Sequence, residues 1–548
     1  MWPVRPIDEP AAAALAAAAG TSPLLGRLLW LRGVRDAAAA RRWLEPRLED
    51  LYPPESLPDF APAADRVIRA IERRETILIW GHDDLDGVTA VALLKLVLEG
   101  MRARVLYHIP ARGREKHGLD AGRAEAFAAQ GARLVITVDC GITNRADIAR
   151  LGERGVDVIV TDHHELPDGL PPALASIDPK RPDSAYGYRG LSGAGVALKF
   201  ALGLAGRRPG LTPAEFWSSE PDAVALAVLG TIADRVPLTG ENRTLVACGM
   251  GKLLDCRLAA VRAVLARLDC GPAHGRYAPL AALPRLLPLF AAADGLGAVE
   301  RLLDPDPASA GWWLDELEQK AKEWQAEAEA TWQLAQAAAR IGDGLIVVKD
   351  RRLSLRALGY CATRFRYAYH LPALVMGWRG DAWVGECRGT EGMSLVELLS
   401  AQREKFIDYG GHRLAAGFTI ADERVEEFIA AAERYAHENF ARSVAQGERE
   451  RADLLLPLAG FEPGVRRLAP FGEGNPRPWF VSEPTRVREH ARYWTAETRP
   501  DLPLYPGPAA VLPDDATARL LYTVDDEGRV LVRECRAAPG EPADGRAG

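Results

Sequence analysis

The chain has 548 residues, enough for roughly three or four domains of about 100–200 residues each. Apolar residues make up 48% of the sequence and charged residues 26%, and these ordinary globular values exclude a wholly disordered or fibrous chain. The formal net charge of −7 argues against a general nucleic-acid-coating protein, so binding of nucleic acid would require a local basic groove.

The cysteines and the N-terminus indicate a cytoplasmic protein. Seven cysteines are scattered without CxxC spacing, which fits reduced thiols and argues against a disulfide scaffold or a zinc knuckle. The N-terminus, MWPVRPIDEP, lacks the basic-then-apolar layout of a secretory signal, and no stretch reaches the ~18 apolar residues of a membrane span. We therefore expect a cytoplasmic chain that neither is exported nor crosses a membrane.

In chain order, a helical extension over residues 1–60 precedes a predicted α/β domain over residues 61–305. Short runs rich in β-branched residues alternate there with helical segments. Strands are predicted at 76–80, 104–108, 134–138 and 158–161, and helices at 88–98 and 123–129. Buried strands that alternate with helices are typical of a parallel, doubly wound sheet.

A long helix is predicted next. Residues 312–341 contain no proline and are rich in Ala, Glu, Gln, Lys and Trp, which favours a helix. We interpret it as a connector over residues 306–342 between two lobes. An isolated coiled-coil arm is the alternative.

The remainder of the chain predicts two smaller units and a tail. A second α/β unit is predicted over 343–445, with strands at 344–348 and 373–376. A small β domain is predicted over 446–538, where the sequence is Pro-rich with strand-like pieces at 519–524 and 529–533. Residues 539–548 are predicted to be a disordered tail.

Polar clusters follow three strands of the first predicted sheet, at the point where each strand ends. The clusters are His82–Asp86, Asp139 and Asp162–His164, and Asp234 adds an acid after an apolar helical run. Ligands bind outside the carboxyl ends of strands in open α/β sheets, so these groups should meet at one edge. His82, Asp84 and Asp86 alternate, and an extended segment would point all three the same way.

The resulting set contains four carboxylates and two imidazoles. So many anions in one place repel each other unless a cation lies among them, and this donor mixture suits Mn²⁺ or Mg²⁺ better than a structural zinc. Two such ions about 3.5–4 Å apart are the usual machinery for in-line attack on phosphorus. Each cluster alone could be a capped turn or a surface histidine pair, but the combination on one sheet edge favours a metal centre.

Seven motifs carry a family resemblance over about residues 35–480. They are WLEPRLEDLYPPESLPDF, VDCGIT at 138–143, VIVTDHHELP at 158–167, DPKRPDSAYGYRGLSGAGVALKF at 178–200, LGTIADRVPLTGENRTLV at 229–246, YGGHRLAAGF at 409–418 and PFGEGNPRP at 470–478. Together they resemble the bacterial RecJ single-strand exonucleases of the DHH phosphoesterase family. The resemblance implies a DHH domain, a connecting helix, a DHHA1 domain and a C-terminal OB-like domain.

The resemblance also implies roles for individual residues. Metal binding falls on Asp84, Asp86, Asp139, His163 and Asp234, and His82 is added as a sixth ligand. His164 falls close to the scissile phosphate and forms the catalytic group with Asp139 and Asp162. Nucleic-acid contacts fall on Arg112, Ser192, Arg388, Gly410, Gly411 and His412. A basic cluster of Arg102, Arg104, Arg112, Arg114 and Lys116 would supply the groove, although a solvated surface is the alternative.

Three features depart from the family pattern. His82 stands where the family usually has an aspartate. In the segment 286–297, Leu289, Ala291 and Gly295 replace family arginines and an asparagine near the phosphates, which removes charge-assisted contacts. The OB-like region looks short, acidic and Pro-rich, which weakens the expected stacking platform.

The resemblance implies a 5′-to-3′ exonuclease of single-stranded DNA that uses two Mn²⁺ or Mg²⁺ ions in repair and recombination. The alternatives are a DHH phosphodiesterase of short oligonucleotides or cyclic-dinucleotide products, and a weakly catalytic DNA-binding relative. A single-strand-binding protein or a helicase is the expected partner class.

Overall fold

The computed structural model describes residues 2–111, 115–116, 118–166, 169–207, 212–291, 295–390, 393–445, 452–507, 510–512, 517–525 and 527–537. Arg112, Arg114 and the predicted tail lie outside these residues. Within the described residues, no single helix is long and apolar enough to cross a membrane. The pair Glu9–Ala18 and Pro23–Leu31 meets the length and composition test only jointly and is bent by 115°.

The first sheet is parallel throughout. Its strands are β1 (Thr76–Trp80), β2 (Arg104–His108), β3 (Ala132–Val138), β4 (Asp157–Thr161) and β5 (Ala175–Ile177). They lie in the order β2-β1-β3-β4-β5, and every pairing is parallel. The predicted parallel α/β sheet is confirmed, and the carboxyl ends of its strands share one edge.

Helices cover this sheet and precede it. They are α1 (Glu9–Ala18), α2 (Pro23–Leu31), α3 (Ala37–Leu44), α4 (Phe60–Glu72), α5 (Leu85–Gly100), α6 (Ala121–Ala129), α7 (Arg145–Glu153), α8 (Gly193–Gly206), α9 (Pro213–Ser219), α10 (Pro221–Ala233), α11 (Gly240–Leu254), α12 (Ala259–Arg267), α13 (Ala278–Ala291) and α14 (Gly295–Leu303). Helices α5, α8 and α10 pack against one another and are buried on almost every side. This burial explains why they lack a polar face and read as apolar runs.

The connecting helix α15 (Pro307–Ala338) begins and ends earlier than the predicted span of 312–341. Asp306 caps its start, accepting a hydrogen bond from the Ala308 N–H at 2.9 Å. The predicted C-terminal end is wrong because the next residues form strand β6 (Ala339–Ile341), which pairs antiparallel with β7 (Ile346–Lys349). Trp313 packs in the first core and Trp332 in the second, so the helix joins two cores and is not an isolated arm.

The second sheet is mixed, with the order β10-β11-β9-β8-β7-β6. Its remaining strands are β8 (Ala373–Trp378), β9 (Trp383–Arg388), β10 (Phe406–His412) and β11 (Ala415–Ile420). The helices of this region are α16 (Leu358–Tyr369), α17 (Leu395–Ser400) and α18 (Val425–Ala445). The two strands predicted here correspond to β7 and β8 with shifted bounds.

The C-terminal strands close into a small barrel. They are β12 (Leu454–Leu455), β13 (Phe480–Val481), β14 (Thr485–Glu489), β15 (Trp494–Ala496), β16 (Arg499–Pro506), β17 (Thr517–Val524) and β18 (Val530–Ala537). Strands β14, β15, β16, β18 and β17 pair in a ring, which is the five-stranded architecture of an OB fold. Leu28 and Trp43 of the N-terminal helices pack in the same core as Leu468 and Tyr522, so the chain's two ends share one core.

Arg243 of α11 links the first domain to this shared core. It is 1% exposed, and its guanidinium donates hydrogen bonds to five backbone carbonyls. The acceptors are those of Trp43, Arg467, Leu468, Ala469 and Pro470, at 2.6–3.3 Å. Burial lowers the pKa of Arg243 to about 9, which leaves it charged at neutral pH.

Arg243→Met should lower the free energy of unfolding by about 2–3 kcal/mol, because it leaves buried carbonyls without donors. Thermal and urea unfolding of the full chain measure this loss. Arg257→Met is the matched control, since Arg257 is exposed and pairs with Asp222 at 2.9 Å, and it should change stability by less than about 1 kcal/mol. Equal losses in the two variants would contradict the linking role.

Candidate metal centre

Two acids reach the sheet edge through the start of α5. Asp84 is the N-cap residue of this helix and accepts a hydrogen bond from the Gly87 N–H at 2.9 Å, while Asp86 lies in the first turn. The predicted extended arrangement of residues 82–86 is therefore wrong, because the chain becomes helical directly after Asp84. His82 still joins the group, since its Nδ1 lies 3.2 Å from Asp84 Oδ2 and 3.7 Å from Asp139 Oδ2.

Asp86 is buried against the N-terminus of a second helix. Its two carboxylate oxygens accept hydrogen bonds from the N–H groups of Gly193, at 2.6 Å, and Ala194, at 3.0 Å, in the first turn of α8. Position 193 must be glycine for this packing, because a Cβ there would lie 2.6 Å from the Cβ of Asp139. The motif GLSGAGV thus fixes the orientation of Asp86.

Asp139 and His163 come from the ends of β3 and β4. His163 Nε2 lies 3.0 Å from Asp139 Oδ1 and 3.8 Å from Asp234 Oδ2. The Asp139 N–H donates to the carbonyl of Thr161 at 3.0 Å, which keeps the two strand ends together. Asp234 directly follows α10, so this helix brings the fourth acid to the strand ends.

The six predicted ligands form two adjacent groups with metal-ligand spacing. His82, Asp84 and Asp139 form one group, and Asp86, His163 and Asp234 form the other. Asp139 and His163 also form a third group with His164. Within each group, one donor atom per residue lies within 4.8 Å of the others. Asp139 and His163 therefore each belong to two of these three groups and connect the first group with the second.

The electrostatics of the site favour a bound cation. Burial, followed by the charges of Asp234 and Asp84, raises the pKa of Asp86 well above its ordinary value. Burial and then the charge of Asp84 raise the pKa of Asp139 in the same way, and raise that of Asp234 to about 6. Asp234 Oδ2 is buried without a hydrogen-bond partner among the residues that the structure describes. Carboxylates and imidazoles fit Mn²⁺ or Mg²⁺, which would offset this repulsion and give Asp234 Oδ2 a partner.

Asp162 orients the two histidines that follow it. Its Oδ1 accepts hydrogen bonds from the backbone N–H groups of His163, at 2.7 Å, and His164, at 3.2 Å, and from His164 Nδ1 at 2.6 Å. Its Oδ2 accepts from the Ile142 N–H at 2.9 Å. Although burial opposes its ionisation, the charge and hydrogen bond of His164 lower the pKa of Asp162 below its ordinary value. Asp162 is buried, whereas the side chain of His164 is 27% exposed, so His164 is the member open to a substrate.

Sequence reasoning missed Asp178, the residue that follows β5. It is fully buried and accepts a hydrogen bond from the Lys180 N–H at 2.7 Å. Burial, followed by the charge of Asp162, raises the pKa of Asp178 to about 8. Its signal was that of the other acids, an apolar run followed by a carboxylate, but β5 has three residues and is too short to be identified from sequence.

The predicted nucleic-acid contacts lie in two domains: Ser192 belongs to the first, whereas Arg388 and residues 410–412 lie at one end of the second sheet, where Arg388 and His412 are both register partners of Ala415. Ser192 is fully buried, where its Oγ accepts from the Gly195 N–H at 3.0 Å and caps α8 beside Asp86. Arg388 ends β9 and forms an ion pair with Glu386 at 2.8 Å. Gly410, Gly411 and His412 end β10. Arg112 lies outside the described residues.

The described residues of the altered segment 286–297 contribute apolar packing. Leu289 is buried in the first core beside Phe290, whose ring meets that of Trp313 edge-on with centroids 5.7 Å apart. Gly295 begins α14 beside the loop between β1 and α5, since a Cβ at this position would lie 3.4 Å from the Cα of Asp83. In this chain a leucine of the helical core stands at position 289, where the resemblance expects a phosphate-facing arginine.

Residues 76–230 match the family described as "DHH family, N-terminal domain". The single-stranded-DNA-specific exonuclease RecJ of Dickeya dadantii is 31% identical over 483 residues, which cover 83% of this chain and 83% of that relative. The RecJ of Bacillus subtilis is 30% identical over 497 residues. This match covers 88% of this chain but 61% of the Bacillus protein, so the chain spans about three fifths of that relative's length.

Solved structures give the same result. The crystal structure of Thermus thermophilus RecJ in complex with Mn²⁺ matches with a TM-score of 0.75 at 27% identity, over 98% of this chain and 79% of that one. The fold and the clustered strand-end ligands define a DHH-family domain. The relatives extend this assignment beyond the domain, and the chain belongs to the RecJ family of single-stranded-DNA-specific exonucleases.

Proposed function

We propose that this chain hydrolyses phosphodiester bonds of single-stranded DNA from the 5′ end, with two Mn²⁺ or Mg²⁺ ions, in repair and recombination. The convergence of four carboxylates and two imidazoles at the strand ends carries this proposal. The relatives named single-stranded-DNA-specific exonuclease support the substrate, and the RecJ structures with Mn²⁺ and with Mg²⁺ support the ions. The 5′ polarity comes from the family resemblance.

The positions of the residues assign them two roles, metal binding and contact with the phosphate. When bound, two such ions activate a water molecule and stabilise the leaving oxygen of an in-line displacement. One group of ligands would be His82, Asp84 and Asp139, and the other Asp86, His163 and Asp234. His164, oriented through its Nδ1 by Asp162, would steady a phosphoryl oxygen of the substrate.

Three substrates separate this function from its alternatives. We expect a 5′-labelled long single strand to be degraded with Mn²⁺, and a dinucleotide and duplex DNA of the same label to be poor substrates. Faster hydrolysis of the dinucleotide would favour a short-oligonucleotide phosphodiesterase, for which the apolar Leu289 is an argument. Binding of the long strand without hydrolysis would favour the weakly catalytic relative.

His82→Ala should raise the Mn²⁺ concentration for half-maximal activity by about tenfold, because it removes one ligand of the first group. His82→Asp should restore activity and improve use of Mg²⁺, since a carboxylate suits the harder ion. His490→Ala is the control, because His490 is an exposed histidine of the barrel. An unchanged metal titration in His82→Ala would show that His82 is a turn residue and not a metal ligand.

Arg112 and Arg388 are the proposed phosphate contacts that can be tested together. Their joint replacement by alanine should flatten the slope of log K against log salt by about 1–1.5 units, because each contact to a single strand contributes about 0.7. Arg379→Ala is the control, because Arg379 lies in the turn between β8 and β9, where it pairs with Asp381 at 2.8 Å. A wild-type slope with a lowered Tm would show that the Arg388–Glu386 ion pair is structural only.

The proposal includes a cytoplasmic location and a helicase or single-strand-binding protein as partner. A helicase would supply single-stranded ends, and a single-strand-binding protein would occupy the same substrate. Co-sedimentation of the chain with each partner class on single-stranded DNA tests the proposed partner.

A further inference from the structure

One turn carries Asp234 and is held partly from outside its own domain. Asp234 follows α10 and donates its N–H to the Gly230 carbonyl at 2.9 Å. Arg235 then takes a left-handed backbone conformation with φ 59°, and the chain turns through Leu238 into α11. The N–H of the buried Leu238 donates to the carbonyl of Glu473 at 2.7 Å. A backbone hydrogen bond of the ligand-bearing turn thus comes from the C-terminal part of the chain.

The loop that supplies this bond, residues 471–475 of the motif PFGEGNPRP, fits tightly against the turn. Gly474 has φ 66°, and a Cβ there would lie 2.8 Å from the Cβ of Pro237. A Cβ at Gly472 would lie 2.7 Å from the side-chain end of Leu238. The two glycines therefore allow the loop to approach the turn more closely than side chains would permit.

The loop is itself anchored to the barrel and the N-terminal helices. Asn475 is fully buried and donates through Nδ2 to the carbonyls of Leu468, at 2.8 Å, and Pro470, at 2.7 Å. Arg32 of the N-terminal region donates to Asn475 Oδ1 at 2.8 Å. Arg243, in the helix that follows the turn, also donates to the carbonyls of Leu468 and Pro470. The loop, through Asn475, and the turn, through the helix that follows it, are therefore both hydrogen-bonded to the short segment 468–470.

From these contacts we infer that the loop 471–475 is a positioning element for Asp234. It holds the turn so that the Asp234 carboxylate stays beside His163 and Asp86, and the barrel thereby supports the proposed metal centre in addition to any contact with DNA. This inference rests on the proposed function, since it assumes that Asp234 is a ligand. The alternative is ordinary domain packing, in which the loop contributes stability alone.

A titration of the full chain with Mn²⁺, in which electron paramagnetic resonance measures the free ion, distinguishes a positioning role from ordinary domain packing. Gly474→Ala should weaken binding by about tenfold at the Asp234 position, the size of effect that partners of metal ligands usually have. Gly528→Ala is the matched control, because Gly528 also has positive φ, at 87°, but its nearest neighbour is a flexible Arg466 side chain at 3.6 Å. It should leave Mn²⁺ binding at the wild-type level. In an Asp234→Asn background, Gly474→Ala should cause no further loss.

Equal losses of Tm in the two glycine variants with wild-type Mn²⁺ binding would overturn the inference, as would an undiminished Gly474→Ala effect in the Asp234→Asn background. If Gly474→Ala does not fold, Gly472→Ala replaces it, because the Leu238 side chain it meets can move. A smaller loss of Mn²⁺ affinity in Gly472→Ala would support the inference, and unchanged affinity would overturn it. A wild-type chain that binds neither Mn²⁺ nor Mg²⁺ would refute the proposed function instead.

Discussion

Asp139→Ala should reduce hydrolysis of single-stranded DNA by about a thousandfold or more, equivalent to about 4 kcal/mol of transition-state stabilisation. Asp139 lies within metal-ligand spacing of His82 and Asp84 and also of His163 and His164. Its removal therefore takes one ligand from the first proposed group and the carboxylate that lies 3.0 Å from His163 of the second, whereas loss of Asp84 would affect the first group alone. Initial rates with saturating Mn²⁺ measure the effect.

Loss of a buried carboxylate could also lower activity through the fold, and a matched variant separates the two causes. Asp453 is likewise buried and accepts hydrogen bonds from Arg5 and from the Trp479 N–H, but it lies in the C-terminal region, away from the six ligands. Asp453→Asn should change stability and leave the rate per folded molecule unchanged. Asp139→Ala with more than about a tenth of wild-type activity would refute its proposed role as a metal ligand.

The sequence was sufficient to predict the parts of the site that local patterns encode. Each of the strands β1, β3 and β4 has a central apolar run rich in Val, Ile or Leu, because both faces of the sheet are covered, and each is followed by a polar cluster. That pattern led to His82, Asp139 and His163, and the end of the apolar helix α10 led to Asp234. The structure brings all of them together.

Features that depend on long-range packing were not predictable in the same way. Strand β5 is too short to give a pattern, so Asp178 was missed. Residues 339–341 have helical composition but pair with β7, because a sheet edge was available for them. The shared core of the N-terminal helices and the barrel joins opposite ends of the chain, and no local period reports such a contact. The resemblance indicated that Leu289 replaces an arginine, but its burial in the core depends on the packing of distant helices.

Asp162→Ala should lower the rate constant for hydrolysis by about a hundredfold to a thousandfold. This loss is expected although Asp162 is not one of the six proposed metal ligands. Its carboxylate fixes the His164 ring through Nδ1 and the backbone N–H groups of both histidines. Without it, His163 loses its orientation toward the metal centre and His164 its orientation toward the phosphate. The kcat should therefore fall and the Mn²⁺ concentration for half-maximal activity should rise, while the KM for a long single strand stays nearly constant.

The asparagine variant tests whether orientation is the reason. Asp162→Asn keeps one carbonyl oxygen that can accept the His164 Nδ1–H bond, so it should recover part of the activity that Asp162→Ala loses. Asp183→Ala serves as the control, because Asp183 is an exposed acid that pairs with Arg181 at 2.6 Å outside the site. Circular dichroism and Tm establish that each variant is folded. If the alanine variant keeps wild-type kcat, His164 holds its position without Asp162, and the backbone of the strand end alone must orient the histidine pair.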